Sequence, residues 1–268
     1  MAPSARVLQW RIDTESGDSQ AAQAWFQLAN AYLGGNEGLA QNEKLAAKMF
    51  LKAAELNHCG AMSTLGVLYR RDDCPMRDPA LAVHWHRKAA ELTCRCGKGH
   101  SIDQYFLASA LLTGNGCERD LPLALHWYRV AATAGQMNAQ CNLGSMYVEG
   151  SGVKRNLKLA VSLFAKSAEQ GCGQAMYRMG KCHRDGVGVR QDDALAVEWW
   201  YKGADHNDEM SLLELGTAYM NGTCGLPKNT VCGKIYMKGA AEHGNAEAIE
   251  LLMVLRACVC CGRALLHW

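Results

Sequence analysis

Residues 139 to 171 read AQCNLGSMYVEGSGVKRNLKLAVSLFAKSAEQG. Ala139, Leu143, Met146 and Tyr147 recur at helical spacing and make one apolar stripe. Gly144, directly after the leucine, lets a second helix approach closely. Gly150 and Gly152 end the helix and turn the chain, and Asn156 stands where an N-cap belongs. Ala160, Leu163, Phe164 and Ala168 form a second stripe, and Gly171 closes it. The segment therefore predicts helix A, a glycine-rich loop, helix B and a short turn.

The same paragraph is written six times. The apolar residue that opens its Leu-Gly-like pair recurs as Leu28, Leu65, Leu107, Leu143, Met179 and Leu215, in steps of 37, 42, 36, 36 and 36 residues. A helix B landmark recurs as Met49, Trp85, Trp127, Leu163, Trp199 and Ile235, in steps of 36, 42, 36, 36 and 36. Two independent landmarks share one period and one six-residue interruption. Neither helix hides its stripe alone, so the units must stack. N-caps follow the same rule: Asn42, Asp78, Asp120, Asn156 and Asp192 all carry a side-chain acceptor, with Pro79 after Asp78 at the first helical position. Repeat six has Lys228 there and Asn229 next, so its helix B is expected one residue late.

These residues resemble the Sel-1-like repeat, a relative of the tetratricopeptide repeat. The resemblance is carried by AQCNLGSMYVEGSGV, by QAMYRMGKCHRDGVGVRQDDALAVEWWYKGA and by LALHWYRVAATAG. It implies an all-α fold, an α/α solenoid in which about six helix-turn-helix repeats wind into a right-handed superhelix. The expected organisation is a lead-in over 1–19, repeats with the start of a seventh over 20–251, and a capping helix or truncated zinc-finger start over 252–268. The chain begins near a repeat boundary, as a piece of a longer protein would.

The formal net charge of +2 argues against a nucleic-acid or anionic-membrane partner. No apolar run reaches the roughly 18 residues of a membrane span, and the first residues lack the apolar core of a secretory signal. The thirteen cysteines fall in no recurring pair, which predicts mostly reduced thiols and a cytoplasmic location. Asn221-Gly222-Thr223 reads as a turn rather than a glycosylation site.

Two places break the array's rule. The insertion TCRCGKGHSID carries Cys94, Cys96 and His100, either an incomplete soft-ligand cluster or a loop with incidental thiols. In the tail, Ala246 to Leu255 reads as helix A of a seventh unit. Cys258-x-x-Cys261-Gly then resembles the opening of a MYND-type zinc finger whose second half is missing, or belongs to an amphipathic cap ending at Trp268. No metal or other cofactor is expected.

The loop Gly186-Val187-Gly188 recurs in kind in the other units with no strand before it, so it is a turn rather than a phosphate cradle. His84, His86 and His126 read as packing or surface residues, and no Ser-His-Asp pattern recurs. In related stacks the partner lies along helix A. The residue two after the first landmark is then the candidate contact: Asn30, Val67, Ser109, Ser145, Lys181 and Thr217. Arg178, Lys181 and Arg184, three apart, are expected to share a face that holds an acidic segment. The function expected is a non-enzymatic scaffold or adaptor for a protein or peptide partner. The resemblance also implies two alternatives, a cysteine-rich enzyme of the penicillin-binding or β-lactamase type and a regulatory adaptor with a truncated MYND-type finger.

Overall fold

The structure is a computed structural model that describes Val7, Trp10, residues 19–92 and residues 100–260. Within 19–92 and 100–260 every regular element is an α-helix: α1 (Ser19–Gly34), α2 (Glu43–Glu55), α3 (Cys59–Arg70), α4 (Pro79–Glu91), α5 (His100–Thr113), α6 (Leu121–Thr133), α7 (Met137–Glu149), α8 (Leu157–Glu169), α9 (Gly173–Asp185), α10 (Asp193–Asp205), α11 (Glu209–Asn221), α12 (Thr230–Glu242) and α13 (Ala246–Cys260). Odd-numbered helices are helix A of successive repeats and even-numbered ones helix B. The fold is an all-α repeat solenoid. The chain forms two compact units, Met1–Gln136 with α1 to α6 and Met137–Trp268 with α7 to α13.

Capping sets each helix B. The side chains of Asn42, Asp78, Asp120, Asn156 and Asp192 each accept from a free amide in the first turn. In repeat six Asn229 takes this role, accepting from the amides of Val231 and Cys232 at 3.1 Å, so α12 does start one residue late. The shift runs into the core. Four residues after the cap stand Ala46, Ala82, Ala124, Ala160, Ala196 and, in α12, Gly233, all buried. Eight residues after it stand Phe50, His86, Tyr128, Phe164, Trp200 and Met237, again all buried. Ile235, one of the expected landmarks, is consequently left 64 % exposed.

The paired glycine is where that large side chain lands. A Cβ on Gly144 would meet the Phe164 ring at 2.7 Å, and one on Gly216 would meet Met237 Cγ at 2.7 Å. Loop glycines make the joints between repeats. Gly188, with φ +74°, lies against the start of the preceding helix B, where a Cβ would stand 2.6 Å from the Leu157 carbonyl oxygen. After helix B the chain turns through the left-handed region at Gly135, Gly171 and Gly244, and at Asn57 and Asn207, the side chain that best tolerates it after glycine.

In unit Met1–Gln136 one core joins Phe50, Ala53 and Leu65 to Trp85, and a second joins Leu107 and Leu111 to Ala124. In unit Met137–Trp268 one core gathers Phe164, Ala168, Met176 and Met179 and another Trp200 and Leu215. Each buried Leu or Phe contributes on the order of 1.5–3 kcal/mol. The last helix, α13, runs unbroken across the expected boundary at 251/252 to Cys260. Cys94 and Cys96, and the tail from Cys261 to Trp268, lie outside the described residues. Among the described residues, no three His, Cys, Asp or Glu side chains gather as a metal site would need. No described helix is long and apolar enough to cross a membrane.

Candidate functional site

The candidate helix A positions differ in their surroundings. Asn30 is exposed and donates to the Phe26 carbonyl oxygen at 3.0 Å. Ser145 donates to the Cys141 carbonyl oxygen at 3.3 Å and Thr217 to that of Glu214 at 2.9 Å. These polar side chains bond back to their own helix. Val67 and Ser109 are half-buried, in the other unit from Ser145, Arg178, Lys181, Arg184 and Thr217.

Within unit Met137–Trp268, α7 and α9 bring Ser145, Arg178 and Lys181 to one cavity of about 170 Å³ that Phe164 and Cys182 also line. The Nε of Arg178 is buried there with no hydrogen-bond partner. Glu149 and Asp185 also line it. Glu149 accepts from Ser151 Oγ at 3.1 Å, and the two carboxylates match Arg178 and Lys181 in number.

Arg184 does not join them as a free cation. Three helical residues fall about 60° short of a turn, so positions six apart diverge by about 120°. Arg184 turns to the next repeat, where it donates to Glu214 Oε2 at 2.8 Å, and its Nε donates to Asp185 Oδ1 at 2.8 Å. The bond from Arg184 holds the Asp185 carboxyl below the usual carboxylate range, while burial pushes Glu214 up against the pull of Arg184. Sequence reasoning missed Glu214. Its place directly before Leu215 on helix A of the next repeat was the available signal.

In the other unit, His86, Asp103 and Ser63 meet in the interior. His86 Nδ1 lies 2.7 Å from Asp103 Oδ1, and Ser63 donates to Asp103 Oδ2. The carboxylate stands in the middle. In a nucleophilic triad the imidazole does, taking the serine proton on its second nitrogen. Here Ser63 bonds the carboxylate, so the arrangement lacks the bond through which His86 would activate it.

Among the described side chains, no disulfide joins two cysteines. Cys74, Cys141, Cys172 and Cys182 are buried. Cys172 stands at the N-cap of α9. It makes no side-chain cap bond; its Sγ lies 3.8 Å from Asn138 Oδ1, and Cys141 Sγ lies 3.7 Å from Gln174 Oε1. The neighbouring Cys141 thiol, with the Ser167 hydroxyl, lowers the Cys172 thiol to about 6 against the cost of burial. The same contact pushes Cys141 up, and burial pushes Cys182 up to about 11.

The Sel1 repeat model matches residues 22–58, 60–94, 101–136, 138–172, 173–208 and 210–245. Chitin synthase regulator SKT5 of Saccharomyces cerevisiae is 32 % identical over 133 residues, 47 % of this chain and 18 % of that protein. The chain thus spans less than a fifth of that regulator. Among solved structures, c5321, a protective antigen of uropathogenic Escherichia coli strains with an SLR fold, aligns with TM-score 0.73 at 31 % identity. The alignment covers 90 % of this chain and 50 % of that one. A Sel1 repeat protein from Oxalobacter formigenes aligns with TM-score 0.74 at 25 % identity, over 88 % of this chain and 97 % of that one. The six matched segments span the same helix pairs that the two landmarks delimit, and the chain belongs to the Sel1 repeat family.

Proposed function

We propose that the chain is a non-catalytic interaction scaffold whose helix A surface in repeats four and five receives an acidic segment of a protein partner. The observation that carries this reading is the pair Arg178 and Lys181 beside Ser145: both lie 5.8 Å from the Tyr177 ring centroid, neither is in an ion pair among the described residues, and the Arg178 Nε is buried without a hydrogen-bond partner. Asp185, which lines the same cavity, is bonded to Arg184, so neither Arg178 nor Lys181 is in an ion pair with it and the Arg178 Nε is the group that a carboxylate from outside would satisfy. Thr217, in the same unit, adds a further helix A position to this surface; in the other unit Asn30, Val67 and Ser109 are helix A contact positions in their own right. A related protein, SKT5, is a regulator, and that agrees with an adaptor role here.

Titrating a fluorescein-labelled Asp- and Glu-rich peptide into the protein and into its Lys181→Glu variant tests this. The variant should bind about tenfold more weakly, with the larger loss at low salt, where exposed charges are least screened. Equal binding by the two would contradict the proposal.

A further inference from the structure

The structure assigns a second site. We infer that the cavity of about 240 Å³ between α3, α4 and α5, lined by Arg70, His86, Phe106 and Ser109, binds a carboxylate of a peptide partner.

The argument starts from a double departure. At the buried helix B position the other repeats carry Phe50, Tyr128, Phe164, Trp200 and Met237, and repeat two carries His86. Four residues before the helix A landmark the others carry Ala24, Ala61, Ala139, Ala175 and Ser211, and repeat three carries Asp103. The two departures touch each other. His86 is 2 % exposed and Asp103 is fully buried. Removing such a pair from water is costly, and an aromatic ring or a methionine at the one position and a small residue at the other serve elsewhere in the array. Stability alone does not account for the exchange.

The geometry around the pair is that of a held imidazole. Asp103 takes Nδ1 of His86 on one oxygen and the Ser63 hydroxyl on the other, which fixes the ring's tautomer and tilt. The ring lies flat on Gly66, where a Cβ would come within 2.5 Å of its Cε1. Nε2 is left buried without a hydrogen-bond partner, on a side chain that lines the cavity. Buried polar atoms are normally satisfied, so an unpaired one at a cavity wall points to something that arrives.

The charge in the cavity is cationic and pre-positioned. The Arg70 guanidinium stacks 4.2 Å from the centroid of the Phe106 ring. No carboxylate pairs with it among the described residues. Its neighbours differ: Arg71 is bound to Asp73 at 2.6 Å and Arg77 to Asp72 at 2.7 Å. A flat, stacked guanidinium offers two parallel N–H groups, and the planar group matching that fork is a carboxylate. The Ser109 hydroxyl on the same wall supplies a further donor. A peptide residue also brings a backbone N–H, the complement of an Nε2 whose partner nitrogen donates to Asp103. The cavity is below the roughly 300 Å³ of ordinary small-molecule sites, a size for one acidic side chain or a chain end.

This inference rests on the reading of the chain as a peptide binder, but not on Lys181. Fluorescence anisotropy with labelled hexapeptides tests it, using one Glu or one Gln in the peptide and a free or amidated C-terminus. Binding that needs Glu assigns the side chain as the source, and binding that needs the free terminus assigns the chain end. Either supports the site if Arg70→Gln weakens it about tenfold while Lys181→Glu leaves it unchanged. The double variant His86→Phe with Asp103→Ala restores the pattern of the other repeats. It should melt at or above the temperature of the unmodified protein and lose the peptide. A double variant that binds as tightly as the original would overturn the inference, as would no carboxylate-dependent binding of any hexapeptide. If Lys181→Glu weakens binding and Arg70→Gln does not, this cavity is not the site and the scaffold proposal stands.

Discussion

Gly180 of α9 lies flat against the indole of Trp200 on α10: a Cβ at that glycine would stand 2.5 Å from Cδ1 of the ring. Trp200 is 1 % exposed and has no room to retreat. Gly180→Ala should therefore destabilise the protein by about 1–3 kcal/mol, even though alanine is the better helix former. Gly239 on α12 is the control, since its nearest neighbour would be the Leu212 side chain at 3.6 Å, an ordinary contact. Gly239→Ala should gain up to about 1 kcal/mol. Urea melts of the two variants check both signs. Equal effects would mean that the helix A glycines do not set the packing distance.

The displaced cap of repeat six predicts an asymmetry between neighbouring residues. Asn229→Ala removes the acceptor of two first-turn amides and should cost about 1 kcal/mol. Lys228→Ala, at the position where the other five repeats have their cap, should change stability by less than about 0.5 kcal/mol. Thermal melts distinguish this from the opposite order, which would place the start of α12 at Lys228.

The repeat, both helices of each unit and five of the caps were legible in the sequence, because period and capping are local and written six times. The cap shift was legible too. Its consequence was not: with the shift, Met237 replaces Tyr236 beneath Gly216, and only packing reveals which residue is buried. The helix B landmarks themselves are less telling than their successors. Trp127 and Leu163 are half-buried, while Tyr128 and Phe164 fill the core. Of the basic trio, Arg178 and Lys181 line one cavity while Arg184 pairs with Glu214, since a three-residue step drifts around the helix and Glu214 lies 30 residues away in the chain. Asp103 was visible as an odd residue at an alanine position, yet its meaning depended on His86, 17 residues earlier.

The buried thiols predict an optimum in the pH dependence of stability. Cys172 has its folded value lowered to about 6 from the usual 9.0, so its contribution is complete above about 9 and is lost as pH falls through about 6. Cys182 is raised to about 11 and Cys141 is raised as well, so above about 9 the unfolded chain ionises them and the folded one resists. These two contributions are lost as pH rises. Melting temperature should climb from pH 6 to about pH 9 in the Cys172 protein and less in Cys172→Ser, then fall in both. A Cys172→Ser profile that climbs as steeply would remove the thiolate from the N-cap of α9.

The central claim is that a partner's acidic segment is held by Ser145, Arg178 and Lys181 on the helix A surface of repeats four and five. The most direct measurement is a nitrogen-15 NMR titration of the whole chain with an Asp- and Glu-rich peptide, following backbone amides and arginine Nε–H signals. The account predicts that the largest shifts fall on Ser145, Lys181 and the Nε–H of Arg178, with the Nε–H of Arg184 unmoved in its ion pair. Shifts confined to helix B, around Leu159 and Trp199, with those three residues silent, would contradict it.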